Sequence, residues 1–435
     1  MSGPGPYARG PLPPPPPLPP ARRPRRWPIV VAVVAPIVLL AVVVGVSWAL
    51  FEATTRESID TGDAPAKKLA WTADLDIGAS TKEAVAGGVW FGRNLVVRGD
   101  ASGLRAYDLS TGKQRWRVEP PKGLGCAMST TTSNGIGYTL ATNGYHCTRL
   151  FAVETATGEV VQRADLDIEV DPTAGPLWLA GNGIVVATNH DIVSLDPAHP
   201  DEQRWRATVG RDDCAVDKVV ARDSLVLALS SCESDEEMVA TAYDAESGNR
   251  KWRKAIRAGS GDSVSLLSAS PPVVTIDDAD IDKPTTVVGY DPRTGRERMR
   301  VKAELDGSPL DPEPDNVAFV GQTMVLGGSG IAAYDITTGD RLWSEQVGDV
   351  DFTVLHQRPG KEVYAIGSPL LDDDYADALV AFGVQGGEMR VASRLEPVKE
   401  DFPADESLTW TGRRIVAAYD RASSYDDYRT LEVYG

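Results

Sequence analysis

Histidine and cysteine are scarce in this chain, four of each among 435 residues. His146, His190, His199 and His356 are scattered, and no two are spaced as metal ligands on one element. Each therefore reads as an ordinary loop or surface residue. No GxSxG elbow and no P-loop occurs, which removes the usual hydrolase nucleophile and nucleotide-phosphate cradle. No DxDxDG run is present for a calcium loop, and the cysteines never form a CxxC, which argues against zinc. Acidic residues are missing from the first 51 positions, which hold five arginines. Taking those five from the 44 basic residues leaves 39 against 62 acidic ones, a net −23 for the remainder. Such a body predicts no Lys/Arg stripe to neutralise phosphates and excludes nucleic acid as a partner.

Long apolar runs are equally rare, with one exception. Residues 29–51, IVVAVVAPIVLLAVVVGVSWALF, form 23 residues without a charge. As a helix they would span roughly 35 Å at ~1.5 Å per residue, enough for a bilayer core, and Pro36 is tolerated in such a helix. The cluster ARRPRRW lies on the amino side, so the positive-inside rule predicts a single-pass anchor with residues 1–28 in the cytoplasm and the body outside. A cleaved signal peptide is the alternative, but its apolar region is usually ~7 to 15 residues. Within 1–28 the run GPLPPPPPLPPARRPRR favours polyproline II and cannot build a core, so it predicts a disordered Pro/Arg-rich segment. Residues 52–66 read as a linker.

From residue 67 onward the chain repeats. YDLSTGKQRW, YDAESGNRKW, YDPRTGRERM and YDITTGDRLW supply Asp108, Gly112 and Trp116; Asp244, Gly248 and Trp252; Asp291 and Gly295; and Asp335, Gly339 and Trp343. Degenerate copies fill the gaps. Positions equivalent to the tryptophan are Trp71, Trp116, Val161, Trp205, Trp252, Met299, Trp343 and Val391, spaced by 44 to 48 residues. In each copy an alternating apolar strand ends in an Asp that caps the turn, Thr-Gly turns the chain with glycine at positive φ, and the next strand carries the Trp. A bulky aromatic in each outer strand, facing the neighbouring unit, would lock adjacent sheets together. A period of this length predicts a radial array of four-stranded units.

The pattern G-x-x-A-[YLF]-D-x-x-[TS]-G-x-x-x-W resembles the repeat of the PQQ-like (quinoprotein dehydrogenase-like) β-propeller superfamily over about residues 67–435. The superfamily includes quinoprotein dehydrogenases, the outer-membrane assembly lipoprotein of the BAM complex and sensor domains of membrane-bound bacterial kinases. The resemblance implies an all-β propeller. Counting units gives eight blades, the last closed by the N-terminal strand 69–75 pairing with three C-terminal strands. A quinoprotein dehydrogenase would be expected to carry adjacent cysteines and calcium-binding loops, and this chain has no adjacent cysteines. A lipidated N-terminal cysteine is missing too, since the first cysteine is Cys126.

Within such blades Cys126 and Cys214 open an innermost strand and their partners, Cys147 and Cys232, end the next. Disulfides Cys126–Cys147 and Cys214–Cys232 are therefore expected. Turns between the second and third strands share one face of the disc. They carry Asp235, Glu236 and Glu237; Asp277, Asp278, Asp280 and Asp282; and Asp372, Asp373, Asp374 and Asp377. That face is a candidate cation site or docking surface for a basic partner, against the plain alternative of a solubilising rim. The expected function is a non-catalytic, membrane-anchored extracytoplasmic propeller that binds a protein or ligand at the cell envelope, with no cofactor. The alternatives are a PQQ-dependent oxidoreductase or other propeller enzyme, and an envelope sensor.

Overall fold

The computed structural model describes residues 59–74, 88–100, 103–119, 125–142, 147–209, 214–232, 235–259, 261–280, 282–357, 360–369, 377–396, 407–418 and 429–435. The apolar segment 29–51 and the proline-rich segment before it lie outside them. Among the described residues the helical pieces are two 3-10 turns, Pro172–Ala174 and Pro314–Asn316. No described helix is long and apolar enough to cross a membrane.

The strands are arranged as antiparallel meanders. Five separate four-stranded sheets follow in chain order, over residues 89–118, 125–170, 178–208, 214–256 and 263–302. Residues 317–345 and 350–395 repeat the same four-stranded order, and a single pairing of Gly328 with Phe352 joins them into a larger sheet. In the last sheet, Ser407–Trp410, Ile415–Ala418 and Arg429–Tyr434 receive Leu69–Asp74 as their outer strand. Trp71 in that strand stands opposite Val433.

The strands form because their residues are rich in β-branched and other apolar types, as in GIVVA (Gly183–Ala187) and LVLALSSC (Leu225–Cys232). Middle strands are apolar on both faces because each sheet is covered on both sides. Its core therefore lies between units. Val97, Leu104 and Ala106 pack with Met128, Phe151 and Val153 of the next unit, and the pattern repeats along the chain. The last sheet packs Leu408 and Ile415 on Leu379 and Leu395 before it, and Val416 and Val433 on Val96 and Tyr107 of the first unit.

The tryptophans join units in a second way. Each outer-strand indole donates to a carbonyl in the next unit: Trp71 to Leu109, Trp116 to Thr155, Trp205 to Ala245, Trp252 to Pro292 and Trp343 to Val384, at 2.9 to 3.2 Å. The ring lies flat on the turn glycine of that unit. A Cβ at Gly112, Gly158, Gly248, Gly295 or Gly387 would fall 2.6 to 2.7 Å from ring atoms. The glycine is thus required twice, for its positive φ and for the ring. Where the tryptophan is replaced by Val161, the next turn (196–202) has no glycine, and Gln162 Nε2 supplies the donor to Ala198 O at 2.6 Å.

Both disulfides are present, with Cα separations of 6.1 Å for Cys126–Cys147 and 4.0 Å for Cys214–Cys232. One placement differs from expectation. Cys214 and Cys232 face each other on the first and second strands, but Cys147 opens the third strand opposite Thr142 instead of ending the second. The first bridge therefore spans from the first strand to the third. Each closes a loop of about 20 residues and is worth about 3 kcal/mol in the chain-entropy account.

Candidate docking face

The capping carboxylates lie at the end of each sheet where the third strand turns into the fourth. Asp291 Oδ1 accepts from the Arg293 and Thr294 N–H groups at 3.0 and 2.8 Å and from Thr294 Oγ1 at 2.9 Å. Those bonds, the Thr294 backbone first, hold its carboxyl below the ordinary value. Asp335 is lowered in the same way by Thr337, and Asp244 chiefly by Lys251. These groups are structural.

In an antiparallel meander the turns between second and third strands leave from the opposite end, together with the connections between units. The loop after Pro272–Asp277 is the best defined of them. Asp277 receives Thr285 Oγ1 at 2.5 Å and Ser263 Oγ at 3.1 Å, so it holds the turn closed. Asp278 accepts from the Asp280 N–H at 3.0 Å and from Lys283 Nζ at 2.9 Å, and these two bonds lower its carboxyl. Asp280 and Asp282 are exposed, with Lys283 3.9 Å from Asp280. Asp235, Glu236 and Glu237, expected in a loop, instead begin the strand Asp235–Asp244, because Asp235 still pairs with Cys232. Asp377 directly precedes Ala378–Gly383, and its carbonyl accepts from the Leu395 N–H at 2.7 Å. Asp372, Asp373 and Asp374 lie outside the described residues.

A further acidic group escapes the repeat pattern. Ser308–Asp311 and Val317–Val320 both pair with Thr323–Gly328, so the run between them is an insertion within one first strand. First strands of consecutive units touch in parallel, Ser129 with Leu177 and His356–Gln357 with Thr409–Trp410, which puts them on the inner side of the array. The insertion carries Asp311, Glu313 and Asp315, anchored by Asn316, whose Oδ1 accepts from the Val354 N–H at 2.7 Å. Asp311 and Glu313 reach solvent, yet their surroundings desolvate them and Asp277 and Asp315 repel them, so both carboxyls are raised. The legible signal is DPEPD, residues 311–315: acids alternating with prolines ahead of a strand.

Asp311 yields a pH prediction. With its folded pKa above the ordinary 3.8, its contribution to stability is complete below that value and is lost as pH rises through the folded pKa. Asp311→Asn should raise the melting temperature at pH 7, and the gain should vanish near pH 3. An equal or lower melting temperature at pH 7 would show that the charge there is not costly.

The histidines take minor roles. His190 Nδ1 lies 2.8 Å from Cys214 O, and His356 Nε2 lies 3.1 Å from Asp315 Oδ1. His199 sits in the glycine-free turn, where its carbonyl accepts from the Glu202 N–H at 2.8 Å, and His146 lies outside the described residues. Among the described residues, no group of three or more His, Cys, Asp and Glu side chains is placed to hold a metal.

Residues 146–350 match the profile of the family described as outer membrane protein assembly factor BamB. No curated protein sequence matches the chain. Among solved structures, BamB from Moraxella catarrhalis is 15% identical over 84% of this chain and 96% of its own, with a TM-score of 0.47. The computationally designed Ika8 protein is 16% identical over 86% of this chain and 99% of its own, with a TM-score of 0.50. Hsv2 from Kluyveromyces lactis is 9% identical over 72% of this chain and 99% of its own, with a TM-score of 0.44. At such identities a likeness concerns the fold. The family match over residues 146–350, the four-stranded meanders and the tryptophan-on-glycine contacts all support a PQQ-like β-propeller fold.

Proposed function

We propose that this chain is a non-catalytic, single-pass, membrane-anchored propeller of eight blades that docks a protein with a basic surface outside the cytoplasm. The observation carrying the docking reading is the gathering of carboxylates at one end of the sheets. Asp277, Asp278, Asp280 and Asp282 belong to one turn, and Asp277 acts electrostatically on Asp311 and Glu313 of the following unit. Like charges held together this way raise one another's energy, and a cationic partner would relieve it. The matching family is described as an assembly factor, which fits a role of binding other proteins.

The location rests on two supports. Both cysteine pairs are oxidised, a state that persists outside the cytoplasm. Residues 29–51 have the length and the flanking arginines of an anchor with segment 1–28 inside. Eight blades follow from the repeat count with Leu69–Asp74 completing the last sheet. The cysteines are joined across strands and none are adjacent, so no vicinal pair is available to roof a quinone.

Cross-linking the full-length protein in its own membranes tests the reading. The control replaces Asp280, Asp282, Asp372, Asp373 and Asp374 by Asn, leaving Asp277 and Asp278 to hold their turn. A specific basic partner should be recovered with the native chain and fall at least about ten-fold with the control, the effect of losing ~1.4 kcal/mol. Recovery of the same partner in equal amount from both would sink the acidic face as the docking surface.

A further inference from the structure

A net charge of −23 over residues 52–435 hides one segregated stretch. The outer strand Arg250–Ile256 and the residue after it hold Arg250, Lys251, Arg253, Lys254 and Arg257, five cations and no carboxylate. The outer strand Val160–Val170, by contrast, sets Arg163 against Asp165, Asp167 and Glu169. Lys251 pairs with Asp244 at 3.0 Å. Arg250, Arg253, Lys254 and Arg257 are exposed and meet no carboxylate among the described residues. The stripe that composition ruled out is therefore present, because averaging over a chain erases charge that one strand concentrates.

The register places these cations on both sides of one edge. Arg253 stands opposite Thr241, and Arg250 opposite Tyr243 across a bulge, so both flank one face, and both act electrostatically on Tyr243. Lys254 stands opposite Ala240 and flanks the other face, beside the buried Trp252. Between them runs the strand's second edge, which has no partner among the described residues. Isolated lysines on an edge commonly deter pairing between identical edges. A strand with exposed cations on both faces, of which Lys251 alone is paired with a carboxylate among the described residues, goes further, because it also selects what can pair.

We propose that the edge of Arg250–Ile256 accepts an extended acidic peptide segment by strand addition. Backbone pairing sets the peptide's register, and its alternating carboxylates reach Arg250 and Arg253 on one face and Lys254 on the other. A flat polyanionic surface reaches only one of these faces. This surface is independent of the acidic turns and needs a partner of opposite sign.

The probe is a fluorescein-labelled alternating Thr-Glu peptide of about ten residues, titrated against the full-length protein and read by anisotropy. Binding should slow amide exchange across Arg250–Ile256. Arg250→Glu, Arg253→Glu and Lys254→Glu together should weaken it at least about ten-fold, as expected for the loss of three exposed ion pairs. Arg341→Glu, on another outer strand, and the acidic-turn control should leave it unchanged. An unaltered melting temperature certifies the folded state of each variant, and Lys254→Glu alone serves if the triple reversal unfolds. The proposal is overturned if a peptide of equal charge interrupted by two prolines binds as well. It is also overturned if charge reversal has no effect, or if polyphosphate or phosphatidylglycerol vesicles displace the peptide while no amide of the strand is protected.

Discussion

Excision of residues 66–74 is expected to destabilise the entire propeller and not merely loosen its last sheet. Leu69–Asp74 is the outer strand beside Arg429–Tyr434. Ala73 and Trp71 join the cluster shared with Val96, Tyr107 and Leu109, while Leu69 packs on the cluster shared with Leu379 and Leu395. Losing these side chains, the strand pairing and the Trp71 bond to Leu109 should cost about 5 kcal/mol or more. That is comparable to the whole net stability of a typical domain, about 5 to 15 kcal/mol. Because each unit buries its faces only on its neighbours, units beside the gap lose their cover and the loss spreads. Calorimetry should show a much lower or absent cooperative transition, and amide exchange should rise even at the distant strand Leu225–Cys232. Fast exchange confined to 89–118 and 407–434, with an unchanged melting temperature, would disprove closure through this strand.

The second large effect is at the tryptophan-on-glycine contact. Trp205→Ala removes the ring between two units and its 3.0 Å bond to Ala245, for an expected loss of about 3 kcal/mol. Gly248→Ala should cost about 2 to 4 kcal/mol, because φ is +70° and a Cβ would stand 2.6 Å from the Trp205 ring. In the Trp205→Ala background the ring is gone, and only the backbone cost of about 1 to 2 kcal/mol should remain for Gly248→Ala. Gly321, at φ +63° with nothing within 4 Å of where a Cβ would stand, provides the control for that backbone cost. Denaturant melts of the native chain, the two single variants and the double variant close a double-mutant cycle. Strict additivity would mean that the glycine answers only to its turn.

The same pair of residues shows where sequence reading stops. That Gly248 ends an Asp-capped turn, and that Trp205 sits in an outer strand, follows from a local pattern of apolar alternation and turn residues. That they touch does not, since 43 residues and a change of sheet separate them. Val161 illustrates the converse. It aligns with the tryptophans, but only the structure shows that its partner turn dispenses with glycine and that Gln162 makes the bond an indole makes elsewhere. Spacing misplaces Cys147 for a related reason: strand ends depend on pairing register, which spacing does not specify.

By itself the sequence determined the all-β repeat, the positions of the capping aspartates, turn glycines and outer-strand tryptophans, and which cysteines pair, because each depends on short-range chemistry repeated at a fixed period. The apolar run 29–51 is likewise a property of composition alone. The tertiary structure decided what the units do to one another. It set the tryptophan rings on glycines of the next unit, brought Asp277 against Asp311 and Glu313, and left the second edge of Arg250–Ile256 without a partner strand among the described residues. These features depend on register and on which sheet lies next to which, and no residue's immediate neighbours in the chain encode that.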